Sequence, residues 1–215
     1  IFSHVVLADE INRSTPKTQS AMLEAMNDLQ VTIDGRTHAL PEPFLVIATQ
    51  NPIEYHGTFP LPEAQLDRFL MRVRVGYPDR EDAKRILKER DLAGQLKGMK
   101  PALKRDEVLD LQRKADDVLV DDTLLDYIVR IAEATRSHKA FKLGLSPRGA
   151  LALARAARAF ALVSGREYCV PDDIKTVAVP VVAHRTLLDS SLYGVARIVE
   201  SEQAVSDVLA SVAAP

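Results

Sequence analysis

Phe2-Ser-His-Val-Val-Leu-Ala-Asp9-Glu10 is a short apolar run that ends in two adjacent carboxylates. The stretch Val5-Val6-Leu7-Ala8 lacks polar alternation, the pattern expected of a parallel-sheet strand buried on both faces. At such a strand end, neighbouring side chains address different partners: one carboxylate can face a nucleotide-bound Mg²⁺ and the next an attacking water. The pair alone also fits two solvated residues, or a cap for the following helix. The usual companion of such a pair, a Gly-x-x-x-x-Gly-Lys-Ser/Thr loop cradling phosphates with backbone N–H groups, occurs nowhere in the 215 residues. Ile1 stands inside an apolar segment, so the chain reads as a piece of a longer protein, with the phosphate loop expected upstream.

Composition narrows the class. With 47% hydrophobic and 27% charged residues, the chain is neither disordered nor fibrous, and 215 residues suffice for one large core or two small ones. The balance of 28 basic against 30 acidic residues announces neither a nucleic-acid nor a membrane partner in bulk charge, which leaves a local basic patch as the route to one. No apolar run approaches the ~20 residues needed to span a bilayer. A single cysteine, Cys169, excludes an intrachain disulfide, and no Cys/His spacing suggests structural zinc; both suit a cytoplasmic location.

Working outward, Asn12 to Thr15 break the first strand. Ser14 or Thr15 then caps a helix with Pro16 in its first turn and Met22, Met26 and Leu29 on its apolar stripe. Gln30-Val-Thr-Ile33, Asp34-Gly35 and Arg36-Thr-His-Ala-Leu40 form the clearest hairpin, because Asp-Gly suits a type I′ turn. Phe44-Leu-Val-Ile-Ala48 is a second buried-strand candidate, ending in Thr49-Gln50-Asn51. A loop through Pro52, Gly57, Pro60 and Pro62 leads to a short helix over 63–69, and Met71, Val73 and Val75 alternate with Arg72 and Arg74 as in a third strand. At Gly76-Tyr-Pro78-Asp79 the patterning turns almost wholly helical, placing a domain boundary there: 1–75 as α/β core and 76–215 as helical unit. Helices are expected over 81–90, 105–115, 122–137 (stripe Leu125, Ile128, Val129, Ala132), 147–164, 174–185 and 195–209, with 92–103 irregular.

Three further residues complement the carboxylates. Asn51, a neutral amide at a neighbouring strand end, can hydrogen-bond both water and a phosphate oxygen; as Asn-Pro it is equally a turn starter. Arg68, just before the third strand, suits charge developing on a transferring phosphate, the plainer role being a surface pair with Asp67 or Glu63. Arg148 opposes the dipole at a helix N-terminus, which a bound phosphate would offset and solvent would screen. Gly144 and Gly149 have the phosphate-loop spacing, but Ala150 stands where its Lys belongs. Cys169 and His184 read as packing residues, and Arg136-Ser-His-Lys139 with Lys142 as a solvated basic loop or an acidic-partner contact.

Val6-Leu-Ala-Asp-Glu-Ile-Asn-Arg13, Thr18-Gln-Ser-Ala-Met-Leu-Glu-Ala-Met26, Gln30-Val-Thr-Ile-Asp-Gly35, Ile47-Ala-Thr-Gln-Asn-Pro-Ile-Glu54 and Leu61-Pro-Glu-Ala-Gln-Leu-Asp-Arg-Phe69 together resemble the MoxR family of AAA+ ATPases. Leu145-Ser-Pro-Arg-Gly149 and Val170-Pro-Asp-Asp-Ile-Lys175 continue the likeness into a helical lid. The resemblance implies part of a P-loop NTPase core with parallel strands and a hairpin insertion, followed by an all-α lid. It implies ATP and Mg²⁺ as cofactors, with Asp9 near Mg²⁺, Glu10 polarising the attacking water and Asn51 as sensor 1. It also implies Arg68 as an arginine finger acting in trans on the neighbouring subunit, and Arg148 as the sensor 2 arginine. The full-length protein would then be a homo-oligomer, a hexameric ring, remodelling client proteins with a von Willebrand factor A domain partner. Two other readings compete: a non-catalytic helical assembly module, and a DNA-linked helicase or chelatase subunit.

Overall fold

The computed structural model describes residues 1–51, 59–88, 98–192 and 194–215. Expectations for Pro52, Gly57, 89–90 and 92–97 therefore lie outside the described residues. Strand β1 (Val5–Ala8) pairs in parallel with β4 (Leu45–Ala48), Ala8 opposite Ala48, so the two strands end side by side. Between them lie helix α1 (Pro16–Asp28) and the antiparallel hairpin of β2 (Gln30–Ile33) and β3 (Arg36–Ala39). Thr15 caps α1, its hydroxyl accepting from Thr18 N–H, with Pro16 in the first turn. The hairpin turns at Asp34 and Gly35, both at positive φ, as a type I′ turn requires.

Three sequence expectations change in this half. The strands are not buried on both faces: Val5, Leu7, Leu45 and Ile47 are exposed, and only the alternate residues are partly covered. Apolar runs record the need for cover without saying where it comes from, and among the described residues nothing lies over that face. The residues of α1 that are fully buried are Gln19 and Ala25, because Gln19 donates to the carbonyls of Ile11 and Phe59, at 3.2 and 2.9 Å. Leu29 instead ends the helix in the left-handed region. Residues 71–75 form no strand; no described strand lies beside them, and a ladder needs a partner.

Helix α2 (Glu63–Leu66) is a single turn. The helical unit follows as α3 (Arg80–Lys88), α4 (Arg105–Asp117), α5 (Asp122–Ser137), α6 (Pro147–Val163), α7 (Pro171–Val182) and α8 (Gly194–Ser211). Its core joins α5, α6, α7 and α8 through residues such as Tyr127, Ile131, Leu153, Ile174, Val181 and Val205. On α5 the buried stripe is Leu124, Tyr127, Ile128, Ile131, Ala132 and Thr135; Leu125 and Val129 face out. Of the stripe expected from sequence, Ile128 and Ala132 are buried, while Leu125 and Val129 are replaced by Leu124, Tyr127 and Ile131. The unit is also not all-α: β5 (Phe141–Leu143) and β6 (Leu187–Leu188) form a small antiparallel ribbon.

The two glycines with phosphate-loop spacing serve packing. A Cβ on Gly144 would meet Arg136 N at 2.5 Å, and one on Gly149 would meet Leu145 Cδ1. Arg136 donates from Nε to Leu145 O at 3.0 Å, which ties it to this corner, while it and Lys139 remain exposed as a solvated basic run would be. Inside the unit, Asp173 is buried, accepts from Val170 N–H and receives both Arg166 Nη atoms. The Arg166 bond in particular holds its carboxyl below the usual carboxylate range.

The C-terminal end of α7 carries the contact that fixes residues 67–72. Pro180 O accepts from Arg72 N–H at 2.8 Å, and Val181 O accepts from Arg185 Nη1 at 2.5 Å. These are carbonyls that a helix end leaves without helical partners. His184, expected only to pack, has Nε2 2.9 Å from Phe69 O and 2.8 Å from Arg185 Nη1. One nitrogen serves one of these at a time, donating to the carbonyl or accepting from the guanidinium, according to tautomer.

Burial first, and then the Arg185 charge, lower the His184 pKa to about 4. Unfolded, the ring titrates near 6.5, so between these values the unfolded chain takes up a proton that the folded chain refuses. Stability should therefore be full above about pH 6.5 and fall as the pH drops towards 4, by on the order of 3 kcal/mol from this group. Thermal melts of the chain at stepped pH check this: His184→Gln should flatten the decline over that window. Equal declines in both proteins would remove His184 as its source.

Candidate functional site

The expected site residues divide into those at the β1 and β4 ends and those on later elements. The parallel register sets Asp9 beside Thr49, one residue past each strand. Thr49 Oγ1 donates to Asp9 Oδ1 at 2.5 Å and accepts from Glu10 N–H at 2.8 Å. The backbone closes the same corner, with Thr49 N–H donating to Ala8 O and Ile11 N–H to Thr49 O, each at 3.0 Å. One hydroxyl thus orients the first carboxylate and anchors the backbone of the second. Thr49 was missed as a site residue; the polar ending Thr49-Gln50-Asn51 was visible in sequence, but only the register shows which polar group meets Asp9.

Glu10 occupies the left-handed region at φ 47° and ψ 52°, uncommon for a residue with a Cβ. That conformation turns the chain sharply into the 3₁₀ turn Ile11–Arg13 and separates the direction of Glu10 from that of Asp9. Glu10 Oε2 accepts from Arg13 Nη1 at 3.2 Å. Both side chains are largely exposed, so this ion pair contributes little stability; its effect is to hold the carboxylate's direction. Arg13 is the second residue that reading along the chain did not single out. Asn51 lies two residues beyond Thr49, partly buried, at the same strand end.

The two arginines lie elsewhere. Arg68 sits in the turn after α2, with Arg68 N–H donating to Gln65 O at 3.2 Å. The carboxylates expected to pair with it are engaged by others: Asp67 Oδ1 lies 3.1 Å from Arg185 Nε, and Glu63 Oε1 lies 3.9 Å from Arg197 Nη2. The surface-pair role for Arg68 is thereby removed. Arg148, exposed in the first turn of α6, donates from Nη2 to Asn27 Oδ1 at 3.1 Å, near the C-terminus of α1. It bridges the helical unit to the α/β half, and no contact joins it to Asp9 or Glu10.

The chemistry of these donors can be tested against Mg²⁺ and ATP. Asp9 offers exposed carboxylate oxygen, the hard donor Mg²⁺ takes, with one oxygen already oriented by Thr49. Among the described residues no group of three or more His, Cys, Asp or Glu side chains converges on a metal position. Mg²⁺ keeps much of its shell from water and phosphate and is held by one or two carboxylates, a demand the Asp9 carboxylate can meet. The site is therefore suited to a metal arriving with a nucleotide. Among the described residues, no helix is long and apolar enough to cross a membrane.

Comparison with known proteins bears on the family and the fold. Residues 1–71 match the model of the ATPase family associated with various cellular activities, and residues 133–207 match the AAA lid domain. YeaC of Bacillus subtilis, described as uncharacterized, is 44% identical over the whole chain, which spans 67% of its length. Chaperone MoxR1 of Mycobacterium tuberculosis is 41% identical over the whole chain, which spans 58% of its length. A crystal structure from Cytophaga hutchinsonii, provisionally described as an ATPase, superposes with a TM-score of 0.85 at 34% identity, covering all of this chain and 67% of that one. The chain belongs to the MoxR family of AAA+ ATPases.

Proposed function

We propose that this chain carries the hydrolytic half of an ATP-driven motor whose output is chaperone-like remodelling or maturation of client protein complexes. The observation that carries the reading is the Thr49 hydroxyl, which orients Asp9 and anchors Glu10 with one side chain. Bound Mg²⁺ would neutralise charge on the ATP phosphates. Asp9 would hold that ion, and Glu10, aimed by its left-handed backbone and by Arg13, would accept a proton from the attacking water. Asn51 would hydrogen-bond water and phosphate oxygen without adding charge. Arg148 would approach the nucleotide from the lid, and Arg68 would serve the site of a neighbouring subunit. Catalysis of this kind rests mainly on positioning and electrostatics.

Residues 1–75 and 76–215 are proposed as the core portion and the lid. A hexameric ring, a cytoplasmic location, a von Willebrand factor A domain partner and the absence of nucleic-acid binding belong to the same proposal. The name of the mycobacterial relative and the balanced charge support it. Lacking a Gly-Lys-Ser/Thr phosphate loop, these 215 residues alone should bind Mg-ATP weakly or not at all.

Three outcomes are expected. In the full-length protein, Glu10→Gln should retain ATP binding while turnover falls by on the order of 10²-fold or more; unchanged turnover would take Glu10 out of the reaction. Thr49→Val, which keeps shape and removes both hydroxyl bonds, should lower turnover or Mg²⁺ affinity by about 10-fold or more, read by metal titration of the rate. Calorimetry on the 215-residue chain should show no micromolar Mg-ATP binding; a micromolar isotherm would place a phosphate site within it.

A further inference from the structure

Arg185 stands just beyond the C-terminus of α7, and its side chain is only 2% exposed. Its guanidinium is spent on one short stretch of chain. Nη1 donates to Leu70 O at 2.9 Å, Nη2 donates to Asp67 O at 3.2 Å and also to Phe69 O, and Nε lies 3.1 Å from the Asp67 carboxylate. These acceptors bracket Arg68. His184 packs its Nε2 against the same Phe69 carbonyl, and Arg72 N–H reaches Pro180 O. Further out, Arg74 pairs with Glu202 at 2.8 Å and Arg197 with Glu63 at 3.9 Å. From Glu63 to Arg74 the chain is thus tied at six points to α7, α8 and the loop between them. The Arg68 guanidinium, at the centre of this strip, has no partner among the described residues.

We propose that Arg185 is a positioning residue for Arg68: its fork grips the carbonyls of residues 67, 69 and 70, so that the Arg68 side chain is presented by the lid and moves with it. The inference rests on the proposed role of Arg68 at a neighbouring site. A planar guanidinium suits this task because it bonds several acceptors in fixed directions, which an ammonium cannot do. Its place at a helix C-terminus adds the favourable end of the helix dipole, so the grip is stiff as well as specific. Residues 67–74 then follow the helical unit, although in sequence they precede the boundary at 76. A lid movement in one subunit would be delivered directly to the arginine facing the next.

The test is a double-mutant cycle on ATP turnover in the full-length protein: Arg68→Ala, Arg185→Lys and the two together, with kcat and KM measured separately. Arg185→Lys should lower kcat by about 10-fold or more while KM for ATP moves less than about twofold, since a displacement of about 1 Å is enough to disable a positioned group. In the Arg68→Ala background the same change should cost nothing further. Should the lysine variant fail to fold, Asp67→Asn keeps the carbonyl grip and loses only the charge; it should give a smaller loss that likewise vanishes without Arg68. Losses that multiply, or normal kcat in the Arg185 and Asp67 variants beside an impaired Arg68→Ala, overturn this inference alone. An Arg68→Ala protein with normal turnover overturns the role of Arg68 and this inference with it.

Discussion

A guanidinium that stays charged at any ordinary pH cannot be buried without acceptors, and Arg185 is buried. Burial works against its charge, and the Asp67 carboxylate works for it. The balance is met only by drawing residues 67–70 against the end of α7, where Val181 O supplies a further acceptor. That requirement decides how the helical unit meets the chain entering it. The same segment is held further along by Arg72 N–H on Pro180 O and by Arg74 on Glu202.

The other end of the molecule depends on a weaker but equally geometric constraint. Parallel pairing with Ala8 opposite Ala48 ends both strands at one level, and one hydroxyl reaches two neighbours there. Such a corner needs little burial, because its polar groups satisfy one another and keep their free sides to solvent. Among the described residues, the large core lies in the helical unit, and a small cluster around Ala25, Val31 and Leu40 lies in the first half. Arg148 spans from α6 to Asn27 of α1, one of the polar links between the two sides.

Much of this was legible before any coordinates. The hairpin was written in Asp34-Gly35, the start of α1 in Thr15-Pro16, and α5 in its cap and period, because these depend on interactions within a few residues. The Asp9, Glu10 and Asn51 cluster followed from two apolar runs ending in polar residues. The roles of Thr49, Arg13 and Arg185 were not legible, since they arise between segments 39 to 118 residues apart or, for Arg13, from a backbone turn at Glu10. Half of the α5 stripe, Ile128 and Ala132, was legible, and the other half was not, because Leu125 and Val129 are as apolar as the residues buried in their place.

The sequence by itself determined most of the helices, the hairpin, the two parallel strands and the family, because periodicity, caps and motifs are local properties of the chain. Only the tertiary structure decided which face of each element is covered, that Thr49 joins the Asp9 carboxylate to the Glu10 backbone, and that the turn bearing Arg68 is held by the lid. Those outcomes depend on where distant polar groups find acceptors once water is excluded, and no short stretch of sequence records that geometry.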